Sequence, residues 1–287
     1  MAPLASLPLY RIIGLDGFMS ILINKEERYV RPIDYWQDTF EGYMLHQLDT
    51  IDGMRKVLGK FYMLARKNID VTILGLSKLI RCRYACYGQC WSKLMDSDAM
   101  WRIYSYDNKA IQLITNVSKI QRMLNSATKA TLVKKISEVE YDIQDENEAL
   151  NKLLVPTAHI DSAYFHKRPA FKHEDEVRVL LNDSQSYTHI DAFVAKTIRY
   201  NLKHVDTTKP IPEQILEAFT ITTNGKEKID FSAPSEMKIP IIDLKDYLEG
   251  VRVHPTAPNW YVDLIEGICR KYKIKFLGKS DLYRKTV

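Results

Sequence analysis

The sequence has little of what marks a disulfide-rich, metal-binding or glycine-rich protein. Its 287 residues include only 4 cysteines, 11 glycines and 11 prolines. Cys82, Cys86 and Cys90 recur every four residues and Cys269 lies far away, which matches neither a disulfide framework nor paired Cys-x-x-Cys metal ligands. A three-cysteine metal site would need a fourth ligand from elsewhere. We therefore expect reduced, mostly buried thiols and no metal.

Long apolar runs and a secretion signal are also missing. The longest apolar window, residues 69–80, is too short to span a bilayer and carries Asp70 and Lys78. The first nine residues lack a basic segment followed by an unbroken apolar stretch, so they do not predict a signal peptide. The sequence thus predicts a cytoplasmic protein that does not associate with membranes.

Several catalytic signatures are absent. The sequence has no Gly-x-x-x-x-Gly-Lys loop, no Gly-x-Ser-x-Gly elbow and no Gly-x-Gly-x-x-Gly turn after a strand. These absences disfavour nucleoside triphosphatases, α/β-hydrolases and dehydrogenases. His159, His166 and His173 recur every seven residues, but no His-x-x-x-His pair lies on a clear helix, which disfavours a metal enzyme.

The composition that is present is that of a globular chain. It is 46% hydrophobic, 27% charged and 10% aromatic, which suffices for a large buried core. The formal charge of +5 permits a phosphate-bearing partner without requiring one. The 17 tyrosines suit half-buried core edges as well as surfaces that stack on flat ligands.

The hydrophobic pattern predicts an α+β fold with a mixed sheet and helical insertions. A strand at 7–13, a helix at 15–22 and a strand at 26–33 open the chain, and helical spacing over about 43–80 predicts an inserted pair of helices. Strands are predicted at 83–91, 110–115, 139–143 and 174–181, with further strands and loops from 192, and Asn116 is expected to cap a helix. Residues 146–154 are predicted to be helical as far as Pro156, and a helix from Pro258 leads to a final strand at 273–276. No repeat or linker is evident, so we expect a single domain over 1–287.

The segment from Glu174 to Arg178 is the first candidate site. Glu174, Glu176 and Arg178 alternate with aliphatic residues, so in an extended strand the three charged side chains share one face. Two carboxylates that point the same way can divide acid-base and electrostatic work between them. The alternative interpretation is a solvated edge strand on which Glu176 pairs with Arg178.

The second candidate is Tyr10-Arg11, a cation within an apolar strand. Arginine in such a place needs an anionic partner, and its planar fork suits a diphosphate or a carboxylate. A ligand phosphate and an internal ion pair, with Glu176 as one candidate partner, are both open interpretations.

Two aromatic segments form the third candidate. Trp91 and Ser92 end the segment 88–92, and Trp101 and Tyr104 lie in the segment 100–104. These rings and small polar groups are suited to the wall of a pocket for a flat ligand. The alternative is a core anchored by the two tryptophans.

The order of several short motifs resembles an uncharacterised bacterial family of unknown function. The resemblance covers residues 9 to about 180 and again 251 to 272, and the motifs are Leu9-Tyr10-Arg11, Asp38-Thr39-Phe40-Glu41, Gln89-Cys90-Trp91-Ser92, Met100-Trp101-Arg102-Ile103-Tyr104 and Phe171-x-x-Glu174-x-Glu176-x-Arg178. The opening strand, helix and strand also resemble, more distantly, toxins of the ADP-ribosyltransferase superfamily.

The second resemblance implies an ADP-ribosyltransferase-like fold, NAD as co-substrate and a role for each matching residue. Glu176 would be the key carboxylate and Glu174 would assist the acceptor nucleophile. Tyr10 and Arg11 would bind the pyrophosphate or ribose of NAD, Ser92 would brace the site, and Trp91, Trp101 or Tyr104 would stack on nicotinamide. The Ser-Thr-Ser motif of the arginine-first class is replaced here by Gln89-Cys90-Trp91-Ser92.

The resemblance therefore predicts an NAD-dependent toxin or anti-phage effector that modifies nucleic acid, with a cognate antitoxin as a further expected partner. Single-stranded RNA or DNA is the expected acceptor, since bases stack on aromatic rings and phosphates attract Lys and Arg, and a protein acceptor is the open alternative. Two alternatives remain open. One is a noncatalytic ligand-binding module with the same fold, and the other is a nuclease whose Glu174 and Glu176 hold a divalent ion.

Overall fold

The computed structural model describes residues 6–153, 160–202, 206, 208–224 and 233–284. Its strands are β1 Pro8–Ile13, β2 Glu26–Val30, β3 Cys86–Ser92, β4 Ile111–Asn116, β5 Val133–Glu138, β6 Glu176–Asn182, β7 Glu236–Pro240, β8 Gly250–Val253 and β9 Phe276–Lys279. Its helices are α1 Leu15–Asn24, α2 Pro32–Tyr35, α3 Tyr43–His46, α4 Ile51–Leu64, α5 Ile69–Ala85, α6 Asp98–Tyr104, α7 Val117–Ala127, α8 Glu146–Leu153, α9 His189–Asn201, α10 Ile211–Asn224, α11 Leu244–Tyr247 and α12 Asn259–Tyr272. Short 3₁₀ turns connect several of them.

The sheet is organised around β3. One edge of β3 pairs along its whole length with β6, which in turn pairs with β5. The opposite edge is shared, because β2 pairs with it at Gly88 and β1 pairs with it at Ser92. From there β1 continues through β4 to β8 and β9, and β2 continues to β7. Two strands therefore diverge from one edge of β3.

Side-chain alternation along the strands builds a different core on each face. On one face Leu9, Tyr29, Trp91 and Val177 pack with the apolar sides of α1, α7 and α12. On the other face Leu180 packs with residues of α3 and α5. A third apolar cluster joins α4, α5, α9 and α10. The sheet is thus covered by helices on both faces.

The predicted α+β fold with a mixed sheet and helical insertions is confirmed. The sheet is antiparallel except for the parallel pair of β8 and β9. The segment predicted as a helical insertion forms α3, α4 and α5, the last of which continues to Ala85. The Asn116 side chain accepts a hydrogen bond of 2.9 Å from the Lys119 N–H, so it caps α7 as predicted.

Several stretches differ from the predicted elements. Residues 83–85, predicted as the start of a strand, end α5, and the final strand predicted at 273–276 is β9, which begins only at Phe276. Residues 189–201 form the helix α9 rather than strands, because Ile190, Val194 and Ile198 recur every four residues and are buried together. The strand predicted at 139–143 is instead β5, six residues earlier in the chain. Helix α8 agrees with its predicted span as far as Leu153, and Pro156 lies outside the described residues.

All four cysteines are free thiols. In the described ranges, no helix combines the length and the apolar character that crossing a membrane requires.

Candidate functional site

A cleft of about 910 Å³ opens where β1 and β2 diverge from β3. Its floor is formed by alternate residues of neighbouring strands, which point to the same face: Arg28 and Val30 on β2, Gly88 and Cys90 on β3, and Glu176 and Arg178 on β6. Its walls are aromatic and aliphatic: Tyr35, Trp36, Ile103, Tyr104 and Phe171. The volume lies within the ~300–1,000 Å³ of small-molecule sites.

Three carboxylates and two cations meet in this cleft, and all five residues are buried. Lys167 Nζ lies 2.9 Å from Glu41 Oε1 and 3.6 Å from Glu176 Oε2, and it donates a hydrogen bond to Glu174 Oε2. Arg178 Nη2 lies 2.7 Å from Glu176 Oε2 and 3.0 Å from Glu41 Oε2. The two acids predicted as a pair are therefore neighbours in one network.

The backbone brings Glu174 to the network in an unexpected way. Glu174 ends the 3₁₀ turn Pro169–Glu174, and Asp175 has a left-handed φ of 44°, so β6 begins only at Glu176. The predicted alternation of three charges along one strand is wrong for this reason. The solvated edge strand is also wrong, because β6 pairs with β3 and β5 and the Arg178 side chain is only 1% exposed.

Opposing charges determine the ionisation of this network. Burial would lower the pKa of Lys167, but the carboxylates of Glu176, Glu41 and Glu174 raise it above its ordinary value. Burial raises the pKa of Glu41, although Arg178 and Lys167 oppose this rise. Lys167 is thus a cation at neutral pH, placed among carboxylates where a divalent ion would otherwise be attracted.

Arg11 forms an internal ion pair. Its Nη2 lies 2.7 Å and 3.0 Å from the two carboxylate oxygens of Glu27, and its guanidinium stacks 4.7 Å from the Trp91 ring centroid. Gln89 and Tyr247 also donate hydrogen bonds of 2.8 Å to Glu27. Burial would lower the pKa of Arg11, but the Glu27 carboxylate raises it. The partner is therefore Glu27 and not Glu176, although Arg11 still reaches the cleft wall.

The two tryptophans predicted as stacking surfaces belong to the core. Trp91 and Trp101 are 1% and 0% exposed. Trp91 donates a hydrogen bond of 2.8 Å to Gln89 Oε1, and Trp101 packs edge-on against His254 with centroids 5.2 Å apart. A buried ring offers no face to a ligand, so the predicted stacking role of Trp91 and Trp101 is corrected to that of core anchors.

Of the other predicted site residues, Tyr104 lines the cleft, whereas Ser92 and Tyr10 are buried beside it. Tyr104 lies in the cleft wall and is 47% exposed. Burial and the Glu174 carboxylate raise its pKa, so its phenol keeps its proton at neutral pH. Ser92 is buried and donates a hydrogen bond of 2.7 Å to the Glu174 carbonyl. Tyr10 is buried opposite Ser92 and is not among the cleft-lining residues in the described part of the chain, so its predicted contact with NAD is corrected.

Sequence reasoning missed four residues that shape the site: Glu27, Trp36, Glu41 and Lys167. The sequence does contain a signal for Glu27, because strand alternation puts this charged residue on the same, buried face as Tyr29. Trp36 forms a wall and lies 4.2 Å from the Arg178 guanidinium, ring centroid to Cζ. Glu41 carries a signal only as the last residue of the motif Asp38-Thr39-Phe40-Glu41. Lys167 lies in a segment without periodicity, so no local pattern marks it.

One group of potential metal ligands was found in the described residues, and it does not include Glu174 or Glu176. It consists of Glu140, Asp142 and His166, whose ligand atoms lie within 4.8 Å of one another. His166 Nδ1 lies 3.0 Å from Asp142 Oδ1, which is an ordinary hydrogen-bond distance. This pairing accounts for the arrangement without an ion.

Comparison with curated proteins and with solved structures finds no match to this chain. Residues 100–179 match the family model described as "Protein of unknown function (DUF2971)". This segment runs from α6 into β6 and includes Tyr104, Lys167, Glu174, Glu176 and Arg178. The match confirms, over these residues, the predicted resemblance to an uncharacterised protein family.

Proposed function

We propose that the protein is an NAD-dependent ADP-ribosyltransferase that modifies nucleic acid. The observation that carries this proposal is convergence: Tyr104 and the acidic pair Glu174 and Glu176, predicted from two separate segments, line the same cleft. The cleft is large enough for a nucleotide-sized ligand and combines aromatic walls with a carboxylate floor.

Glu176 is the proposed catalytic carboxylate. When the bond between ribose and nicotinamide breaks, positive charge builds on the sugar, and a fixed carboxylate beside it lowers the barrier. Arg178 holds Glu176 through Oε2 with hydrogen bonds of 2.7 Å from Nη2 and 3.1 Å from Nε, which fixes the carboxylate's orientation. Such fixed groups need no rearrangement as the charge develops.

Glu174 is the proposed partner of the acceptor. It reaches the cleft beside Glu176 through the turn at Asp175, and Lys167 holds it through one carboxylate oxygen. A carboxylate there can accept the proton of the attacking group as the new bond to ribose forms.

The cleft walls suit flat rings. Tyr35 and Tyr104 are 53% and 47% exposed, so each offers a ring face to nicotinamide, to adenine or to a base of the acceptor. Stacking on aromatic rings tolerates different bases, as expected for single-stranded RNA or DNA. The distant resemblance to toxins of the ADP-ribosyltransferase superfamily supports a role as a toxin or anti-phage effector, together with a protein that neutralises it.

The test is incubation with NAD labelled in its adenylate part, together with RNA, DNA and cell lysate. We expect the label in nucleic acid, and we expect Glu176→Gln to reduce its transfer about 100-fold to 1,000-fold. Glu266→Gln makes the same change on the exposed surface of α12 and should leave the rate unchanged. A thermal melt of both variants checks folding. Label transfer at the wild-type rate by a folded Glu176→Gln variant contradicts the proposal.

A noncatalytic ligand-binding module is the second candidate, and the ion pairs favour it. Glu176, Glu174 and Arg11 already have Arg178, Lys167 and Glu27 as partners. Binding of ADP-ribose without consumption of NAD supports this candidate. The nuclease is disfavoured by the position of Lys167 Nζ among the carboxylates, and nucleic-acid cleavage abolished by a chelator would reinstate it.

A further inference from the structure

We propose that Arg28 binds the diphosphate of the nucleotide ligand, the role that resemblance gave to Arg11. This inference rests on the proposed function, since it places the diphosphate of a dinucleotide in the same cleft. It follows from the charges that line the cleft, their partners and the faces of β2.

Arg28 differs from the other cations of the cleft in having no carboxylate partner. Four lining cations are held in ion pairs: Arg11 with Glu27 at 2.7 Å, Lys167 with Glu41 at 2.9 Å, Arg168 with Asp38 at 2.9 Å and Arg178 with Glu176 at 2.7 Å. Over the residues the structure describes, no carboxylate lies within 4.0 Å of the Arg28 guanidinium. A cation without a protein partner remains available to an anionic ligand.

The alternation of β2 directs Arg28 into the cleft. Glu27 and Tyr29 are buried on the core face, whereas Arg28 and Val30 line the cleft. Arg28 is exposed, so its guanidinium is accessible to a ligand that enters from solvent. Glu27 on the core face of β2 instead holds Arg11 of β1 in an ion pair, so the Arg11 charge is already compensated where it reaches the cleft wall.

The neighbouring acids of β2 and β7 are occupied by another cation. Lys238 lies opposite Arg28 in the ladder, and its Nζ lies 3.3 Å from Glu26 and 3.9 Å from Glu236. This arrangement holds the two half-buried carboxylates near Lys238 and leaves the charge of Arg28 uncompensated.

The chemistry of the guanidinium fits a diphosphate. Its planar fork donates paired hydrogen bonds to phosphate oxygens, which an ammonium group cannot match in geometry. The aromatic rings of Tyr35 and Trp36 line the same cleft, so a ring attached to the diphosphate has a surface on which to stack. The ligand class is therefore a nucleoside diphosphate, free or as half of a dinucleotide.

The experiment is calorimetric titration of the full chain with ADP-ribose, ADP and adenosine. Arg28→Ala should weaken ADP-ribose and ADP binding about tenfold to a hundredfold, Arg28→Lys should restore part of it, and adenosine binding should not change. Arg270→Ala removes an exposed guanidinium on α12 and serves as the matched control. Because Arg28 is exposed, the melting temperature of Arg28→Ala should equal that of the wild type.

The outcomes separate this inference from the proposed function. Equal binding of ADP-ribose by the wild type and by Arg28→Ala overturns the inference, even if Glu176→Gln abolishes NAD consumption. Weakened binding by Arg28→Ala in a protein that never consumes NAD supports the inference and overturns the transferase. Failure of the wild type to bind ADP-ribose or ADP overturns the inference, and it overturns the transferase as well only if no label is transferred from NAD.

Discussion

The hydroxyl of Ser92 joins two segments that are 82 residues apart, because it donates a hydrogen bond of 2.7 Å to the main-chain carbonyl of Glu174. The same oxygen accepts a bond of 3.0 Å from the Leu94 N–H. Ser92 thereby connects the end of β3 to the turn that presents Glu174 to the cleft.

Ser92→Ala should lower the free energy of unfolding by about 1–3 kcal/mol, because it leaves a buried carbonyl without its donor. Urea denaturation measures this loss. Ser126→Ala removes an exposed hydroxyl on α7 that also donates to main-chain carbonyls, and it should change stability by no more than about 0.5 kcal/mol. Equal losses of unfolding free energy in the two variants would show that the buried Ser92 hydrogen bond stabilises the protein no more than an exposed one.

Arg178→Met should destabilise the protein by about 3–5 kcal/mol, since it leaves the carboxylates of Glu176 and Glu41 buried without the guanidinium that they contact. Denaturant unfolding of Arg178→Met, Glu176→Met and the double variant forms a mutant cycle. We expect the double variant to be more stable than the sum of the single losses predicts. Strictly additive losses would mean that the two groups do not interact energetically.

Gly88→Ala tests the packing of the cleft wall. A Cβ at Gly88 would lie 2.5 Å from Cζ2 of Trp36, so the ring that now lies over the Arg178 guanidinium must shift. We expect a loss of about 1–3 kcal/mol in unfolding free energy, measured by denaturation. Gly267→Ala on α12 meets open space and should stabilise the helix by about 0.5–1 kcal/mol. Effects of the same sign at both positions would contradict the predicted contact.

Stability should fall as the pH decreases from about 7.5 to 5.5. Burial lowers the pKa of His254, although Asp107 and Asp98 oppose this change. The unfolded chain therefore takes up a proton near the ordinary value of 6.5 while the folded chain does not, which favours unfolding at lower pH. Melting temperatures measured across this range should show a shallower slope for His254→Asn.

We expect His46 to account for the slope of melting temperature against pH that is left in His254→Asn, because burial and the Arg83 guanidinium lower the pKa of His46 as well. The variant that lacks both imidazoles should show the smallest dependence over this range. An unchanged slope in His254→Asn would show that His254 does not contribute.

Local patterns predicted much of the fold. The apolar spacing of α1 and the amide of Asn116 at the start of α7 act over a few residues, so the sequence displays them directly. The cation in the apolar strand β1 also indicated that Arg11 needs an anion. Which anion could not be deduced, because Glu27 comes from the next strand and several acids were equally eligible.

The site depended on contacts between distant segments. Lys167 and Glu41 are 126 positions apart, and no periodicity relates them. The left-handed Asp175 interrupts an alternation that otherwise reads as continuous strand, and few sequence signals distinguish an aspartate in that conformation. The burial of Trp91 and Trp101 depends on which face of the sheet the helices cover, which the alternation alone does not decide.

The interior position of β6 divides the cleft into parts of different compliance. Glu176 and Arg178 are attached to a backbone that is hydrogen-bonded to strands on both sides, so their separation is set before any ligand arrives. Trp36 and Phe171 instead come from connecting segments outside the sheet. Adjustment to ligands of different shape therefore falls to the walls, while the electrostatics of the floor stay preorganised.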